Sequence, residues 1–178
     1  FATLFLAEIY GMSASNQIKA ALERAVNIIV DCQNHQGAWR YNAFSVEADL
    51  SVTVCQLQAL RAARNIGIQI PSDTIERAVN YVVRSRKPTG RDQGLYYYKL
   101  EGRSARRKLH DYSINAAALT ALLSAGVYDE ELHTPALSFL AEEYPYLRGD
   151  HFYYWYGNYY AAQAFFHYGG ERFLSWYD

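Results

Sequence analysis

This sequence has few cysteines, almost no net charge and no long apolar run, and each of these features excludes a class of protein. The 178 residues include two cysteines, too few for a disulfide framework. The formal net charge is −1, which gives no argument for a nucleic-acid partner or an anionic membrane. No apolar run is long enough for a transmembrane segment. The length fits one domain with a sizeable buried core.

The first residues are apolar, but they lack the basic segment with which a signal peptide begins. Position 1 is Phe1 rather than a methionine, and a new helical pattern starts at Glu171, shortly before the sequence stops. These features predict that residues 1–178 are a fragment of a longer chain. Nothing in the sequence predicts a compartment or an oligomeric state.

Aromatic residues are abundant, with 17 tyrosines, eight phenylalanines and three tryptophans, and several of them recur within a repeat. Residues 23–27 (ERAVN) return unchanged as residues 76–80. Residues 36–41 (QGAWRY) correspond to residues 93–98 (QGLYYY), and residues 153–156 (YYWY) form a third, more divergent copy. Self-similarity at a spacing of between fifty and sixty residues indicates stacked helix–turn–helix units. One unit cannot bury its apolar face alone, so neighbouring units must pack together.

Two kinds of helix alternate along the repeat. Outer helices are apolar along one stripe only; they are predicted for residues 18–32, for a segment that begins at Asp73, and for one that starts near Asp129 or Thr134 and ends before Pro145. Inner helices are apolar almost all round, so we expect protein on every side of them; they are predicted for residues 49–65, 112–125 and 158–168. The alternation predicts an all-α fold, an α/α toroid or partial toroid of inner–outer helix hairpins. Residues 1–178 would form a single domain of this kind.

The turn after the first outer helix carries a known motif. Gln33, Gly37 and Trp39 have the spacing Gln-x-x-x-Gly-x-Trp, and residues 93–96 (QGLY) are a degenerate copy. Together with residues 48–65, which look like bacterial squalene-cyclase-like proteins, these features resemble the prenyltransferase and squalene-cyclase repeat superfamily. The resemblance covers essentially the whole chain. It implies a terpenoid-cyclase-type toroid of roughly six helix pairs, of which this chain would supply about four inner helices.

The resemblance also implies a catalytic acid. Class II terpene cyclases protonate an alkene or epoxide with an Asp-x-Asp-Asp motif, and the nearest match here is Glu47-x-Asp49. Burial and a like-charged neighbour can keep one carboxyl protonated, so that it acts as the acid. The alternative is that Asp49 caps its helix by accepting hydrogen bonds from backbone N–H groups. Asp111 and Asn158 stand at equivalent helix starts, which favours the cap.

A substrate cavity is predicted near the starts of the inner helices, where a toroid has its cavity mouth. The candidate lining residues are Asp111, Tyr112, Trp155, Tyr156, Asn158 and Tyr159. Aromatic ring faces stabilise cations, as an isoprenoid cyclase requires for its carbocations. The same rings would equally well fill a protein core.

No metal site or other cofactor is predicted. Protein prenyltransferases of this superfamily bind zinc through an Asp, a Cys and a His. Here Asp49 and Cys55 are six residues apart, which is not a spacing that converges on one ion, and His110 has no cysteine beside it. A zinc site needs three convergent ligands and an open position. The basic residues between Lys99 and Lys108 suit a diphosphate, although such charge runs are more often simply solvated.

Three hypotheses about function follow. The first is a squalene-cyclase-like, isoprenoid-handling protein, a terpene cyclase that acts by protonation in a central aromatic cavity with Glu47 and Asp49 as the acid pair. The second is a non-catalytic α/α repeat domain that binds a protein partner or an apolar ligand. The third and weakest is a prenyltransferase-like protein, because the zinc ligands are missing.

Overall fold

The computed structural model describes residues 1–101, 111–149 and 153–177. Within these ranges the chain forms eight α-helices, one short 3-10 turn and no strand, so the predicted all-α fold class is confirmed. The chain divides into two compact units, Phe1–Val83 and Arg84–Asp178. The toroid itself stays a prediction.

The first unit contains four helices. They are α1 (Ala2–Ser13), α2 (Asn16–Asp31), α3 (Leu50–Asn65) and α4 (Ser72–Arg84), whose last residue belongs to the second unit. Helix α1 packs against both α2 and α3, and α2 packs against α3.

The second unit contains the other four helices of the described residues. They are α5 (Tyr112–Ser124), α6 (Glu130–Glu143), α7 (Tyr154–Tyr168) and α8 (Gly170–Tyr177), and a 3-10 turn (Tyr144–Tyr146) follows α6. Helix α5 packs against α6 and α7, and α7 packs against α8.

Helix α5 shows why an inner helix is apolar on every side. All its residues from position 112 to position 123 are buried, as predicted. Leu119 and Leu123 are among the largest fully buried side chains, and burial of a leucine stabilises by about 1.5–3 kcal/mol relative to exposure. The buried hydroxyl of Thr120 is satisfied because its Oγ1 donates to the carbonyl oxygen of Tyr160 at 2.8 Å.

Helix α4 shows the outer pattern. Ile75, Ala78 and Val82 are buried on one side, while Glu76 and Asn80 on the other side are exposed. This division matches the single apolar stripe read from the sequence.

The start of the third inner helix was predicted wrongly. Helix α7 begins at Tyr154 rather than at Asn158, and its N-cap residue is Tyr153. The side chain of Asn158 does not cap the helix, because its Nδ2 donates to the carbonyl oxygen of Tyr154 at 3.0 Å, one turn back inside the helix. Asn158 is therefore not the counterpart of Asp49.

Candidate functional site

Asp49 is completely buried at the start of α3, where it is the N-cap residue. Its Oδ1 accepts hydrogen bonds from the backbone N–H of Val52 at 2.9 Å and from the hydroxyl of Ser51 at 2.7 Å. A carboxylate here satisfies a backbone donor that the helix cannot pair, and it interacts favourably with the helix dipole. The cap is thus observed, while the catalytic role of Asp49 stays a prediction.

Arg40 engages the second carboxylate oxygen of Asp49. Its Nη1 lies 2.5 Å from Asp49 Oδ2, and its Nε lies 3.7 Å from Glu47 Oε2. The side chain of Glu47 is 67 % exposed, whereas that of Asp49 is fully buried. The two members of the predicted acid pair are therefore linked through one guanidinium, but Asp49 is held by protein groups and Glu47 faces solvent.

The turn between α2 and α3 is built on Gln33 and Gly37. Gln33 Nε2 donates to the carbonyl oxygens of Gly37 at 3.0 Å and Thr74 at 2.8 Å, which ties the turn to the first turn of α4. Arg77 donates in turn to Gln33 Oε1. Gly37 has φ +83°, and a Cβ there would lie 2.6 Å from the carbonyl oxygen of Arg77. Only glycine permits both this backbone conformation and this close approach.

Trp39 of the same turn is buried and connects α2 to α3. Its Nε1 donates to the carbonyl oxygen of Ile29 at 2.7 Å, and its backbone N–H donates to Thr53 Oγ1 at 3.3 Å. The Thr53 hydroxyl donates to the carbonyl oxygen of Asp49 at 2.7 Å. The tryptophan of the motif therefore has a structural role at the start of α3.

A second turn, before α5, repeats the backbone hydrogen bonds of the first. In the first turn, the N–H of Asn34 donates to the carbonyl of Ala38 (3.0 Å) and the N–H of Gly37 donates to the carbonyl of Asn34 (3.0 Å). In the second turn, the N–H of Lys87 donates to the carbonyl of Leu95 (2.8 Å) and the N–H of Gly94 donates to the carbonyl of Lys87 (2.9 Å). These bonds align Gly94 with Gly37 and Tyr96 with Trp39. The degenerate sequence copy is a true structural copy of the turn.

In this alignment Arg86 takes the place of Gln33. Its Nη2 donates to the carbonyl oxygen of Glu131 at 2.9 Å, in the first turn of α6. Gly94 has φ +92°, and a Cβ there would lie 2.5 Å from Pro135 Cβ, also on α6. Each turn thus packs its glycine against the outer helix that follows, with a long polar side chain donating to a carbonyl of that helix.

Asp111 and Asn115 reproduce the start of α3 at the start of α5. Asp111 Oδ1 accepts from the backbone N–H of Ile114 at 3.1 Å, so Asp111 is also an N-cap. Asn115 Nδ2 donates to the carbonyl oxygen of Asp111 at 2.9 Å, and its Oδ1 accepts from the backbone N–H of Tyr96 at 2.9 Å. Burial raises the pKa of the Tyr96 phenol well above its usual value.

The starts of α5 and α7, which carry the six predicted cavity residues, lie against each other. Ser113 Oγ donates to the carbonyl oxygen of Tyr153 at 3.3 Å. A Cβ on Gly157 would lie 2.9 Å from Tyr112 Cδ1, so the two helices approach closely. Burial raises the pKa of Tyr112 to about 12, opposed in part by the nearby indole of Trp176.

The predicted cavity residues on α7 have different environments. The side chain of Trp155 is 82 % exposed and that of Tyr159 is 48 % exposed. Tyr156 is half-buried, with its ring centroid 4.8 Å from that of Tyr160. A shared cavity for these residues with Asp111, Tyr112 and Asn158 stays a prediction.

His133 is fully buried on α6. Neither of its ring nitrogens has a hydrogen-bond partner among the described residues, and the edge of its ring meets the Tyr168 ring at a centroid distance of 6.1 Å. Burial lowers the pKa of His133, and the Arg86 guanidinium lowers it further while the Asp129 carboxylate opposes both. The net effect favours the neutral form of the imidazole.

A cleft of about 140 Å³ opens between α6, α7 and α8. Its lining includes Leu137, Ser138, Phe165, Arg172, Ser175 and Trp176. The rings of Phe165 and Trp176 are stacked, with centroids 5.1 Å apart and planes 15° apart. The Arg172 guanidinium lies 5.4 Å from the centroid of the Tyr168 ring. No sequence pattern predicts a binding role for these residues.

Two properties of residues 1–101, 111–149 and 153–177 bear on metal binding and membrane insertion. In these ranges no group of three His, Cys, Asp or Glu residues is arranged to hold a metal ion. None of their helices combines the length and the apolarity needed to cross a bilayer. His110 and most of the basic run, from position 103 to Lys108, lie outside the described residues.

Comparison with known proteins gives no match, whether against family models, curated proteins or solved structures.

Proposed function

We propose that this chain is a non-catalytic helical repeat domain that binds an isoprenoid chain in the cleft between α6, α7 and α8. The observation that carries the proposal is the stacked pair Phe165 and Trp176, which gives the cleft an aromatic wall, with the Arg172 guanidinium beside it. Aromatic and aliphatic walls bind hydrocarbon, and a guanidinium binds phosphate oxygens in bidentate geometry. A prenyl diphosphate combines both chemical groups.

The volume of the cleft limits what it can hold. At about 140 Å³ it is close to the roughly 150 Å³ of an apolar protein cavity that admits benzene. It therefore accommodates about one isoprene unit, and the rest of a longer chain would lie along the surface. Such a site suits recognition of one end of the ligand.

The bonding of Asp49 supports a binding role over catalysis. An acid catalyst must present its proton to the substrate, whereas both Asp49 oxygens accept from Arg40, Ser51 or the backbone of α3. Its side chain is also fully buried. These contacts describe a helix cap joined to an ion pair.

The cyclase hypothesis is the second candidate. The observation in its favour is the turn of Gln33, Gly37 and Trp39, whose hydrogen bonds and packing give the motif a structural role in this chain. In this account Glu47 and Asp49 would be the acid pair of a toroid, or partial toroid, that closes around an aromatic cavity. The alternation of buried and amphipathic helices supports that finer architecture.

Equilibrium binding of farnesyl diphosphate tests the proposed site. We expect saturable binding at one site, followed by calorimetry and by fluorescence of the cleft tryptophan. Ser138→Phe would fill the cleft and Arg172→Gln would remove its positive charge, so each variant should weaken binding at least tenfold. Glu142→Phe and Arg64→Gln are matched controls on exposed positions outside the cleft lining and should bind as the unmodified protein does.

The same experiment separates the two candidates. Binding that survives both cleft variants, or no binding at all, would refute the proposed site. A cyclised or transferred product that disappears in an Asp49→Asn variant would instead establish the cyclase.

A further inference from the structure

Helix α7 carries an uncovered apolar stripe. Trp155, Tyr159 and Phe166 are 82 %, 48 % and 69 % exposed, and they follow one another at spacings of four and seven residues. Side chains at these spacings lie on one face of a helix. None of the three lines the cleft of the proposed function.

The corresponding face of α5 is completely covered. The bonds from Asn115 to the Asp111 carbonyl and from Asn158 to the Tyr154 carbonyl align the two helices. In this alignment Trp155, Tyr159 and Phe166 correspond to Tyr112, Ala116 and Leu123 of α5, of which none is more than 4 % exposed.

Helix α7 supplies part of that cover, because a Cβ on Gly157 would lie 2.9 Å from Tyr112 Cδ1. On the adjacent side of α5, Ser113 and Thr120 donate to the carbonyls of Tyr153 and Tyr160. The repeat therefore predicts that a further helix of the same kind covers the exposed stripe of α7.

The chain itself carries a second stripe of this kind. Phe1, Phe5 and Met12 are 71 %, 60 % and 88 % exposed and have the same spacings of four and then seven residues. Phe1 is the N-cap of α1 and the other two lie within the helix, whose buried residues are Thr3 and Ala7. Helix α1 packs against α3 within the first unit, as α7 packs against α5 within the second.

We propose that a second copy of this chain covers the α7 stripe with its own α1, so that copies associate head to tail. The six stripe side chains are large, and aromatic side chains bury about 150–250 Å² each. Their burial would remove on the order of 1,000 Å² from solvent, which is near the lower limit for a specific protein interface. Because the two faces differ, the interface is heterologous and leaves one free stripe at each end of the assembly.

The mass of the protein in solution, measured by light scattering and sedimentation over a range of concentrations, tests this assembly. The unmodified chain should form oligomers whose mean mass rises with concentration. Phe5→Glu should block the α1 stripe and Trp155→Glu the α7 stripe, so each variant alone should be monomeric. A mixture of the two variants retains one intact stripe of each kind, and it should form dimers and nothing larger.

Two further variants keep the test independent of any one substitution. Met12→Glu and Phe166→Glu should reproduce the single-variant and mixing results. Tyr146→Glu, at an exposed aromatic outside both stripes, should assemble as the unmodified chain does. An unmodified chain that stays monomeric, single variants that still associate, or a mixture that stays monomeric would each overturn the proposal. None of these results bears on farnesyl diphosphate binding in the cleft.

Discussion

Arg40 places its Nη1 2.5 Å from Asp49 Oδ2, and this ion pair joins the first turn to the cap of α3. The Arg40 side chain is 24 % exposed and that of Asp49 is fully buried. Loss of one partner from a buried ion pair is costly because it leaves the other partner uncompensated. The contact therefore predicts a large effect on stability.

We expect Asp49→Ala to lower the free energy of unfolding by about 3 kcal/mol, since it removes both the helix cap and the partner of Arg40. Glu47→Ala should lower it by less than about 1 kcal/mol, because the Glu47 side chain is exposed. Urea unfolding followed by circular dichroism measures both. Equal losses for the two variants would contradict the structural role given to Asp49.

The glycine of the first turn offers a test with an internal control. Gly37 and Gly67 both have a positive φ, of +83° and +91°, but a Cβ on Gly67 meets nothing within 4 Å. Gly67→Ala should therefore cost only the backbone strain, about 1 kcal/mol. Gly37→Ala should cost at least about 2 kcal/mol more, because its Cβ would overlap the backbone of Arg77. Thermal and urea unfolding of both variants give the comparison, and similar losses would show that the turn does not pack tightly on α4.

Because Arg86 takes the place of Gln33 in the second turn, we expect glutamine to preserve stability better than leucine at position 86. Arg86→Gln should retain a donor to the Glu131 carbonyl, because Gln33 makes the equivalent bond in the first turn. Arg86→Leu removes that donor and should cost about 0.5–1.5 kcal/mol, the net value of an ordinary hydrogen bond. A leucine variant at least as stable as the glutamine variant would argue against the equivalence.

Because His133 is buried and its pKa is lowered, we expect the protein to lose stability in mild acid. Its folded-state pKa is lowered, so as the pH falls through the unfolded value near 6.5 the unfolded chain takes up a proton that the folded chain does not. The free energy of unfolding should therefore be highest above about pH 7 and should fall below it. His133→Phe should remove this part of the pH dependence, whereas His35→Gln, at an exposed site, should leave it unchanged. Urea unfolding at pH 8 and pH 5 measures the effect, and an unaltered pH dependence in His133→Phe would contradict it.

Periodicity was enough to predict much of the fold. The apolar run of α5 predicted a helix surrounded by protein, and the single apolar stripe of α4 predicted a helix with one solvent-exposed side. Both patterns report burial directly, because they depend on which residues face the core. The Gly-x-aromatic spacing also predicted the second turn.

The sequence does not show where two different side chains have the same structural role in the two turns. Arg86 replaces Gln33 in a turn that spans residues 87–94 instead of 34–37, so neither residue type nor spacing signals the match. Asn158 was misplaced because asparagine suits both a helix cap and a bond to the carbonyl four residues earlier. The cleft between α6, α7 and α8 depends on how the three helices pack together, and no local sequence pattern encodes that shape.

The most direct test of the proposed function is to recover the ligand after binding. The protein would be incubated with farnesyl diphosphate, separated from unbound ligand, and extracted for mass spectrometry. A non-catalytic binding domain predicts about one unchanged molecule per chain, lost in Ser138→Phe. Recovery of a cyclised or transferred product, or of no ligand at all, would contradict it.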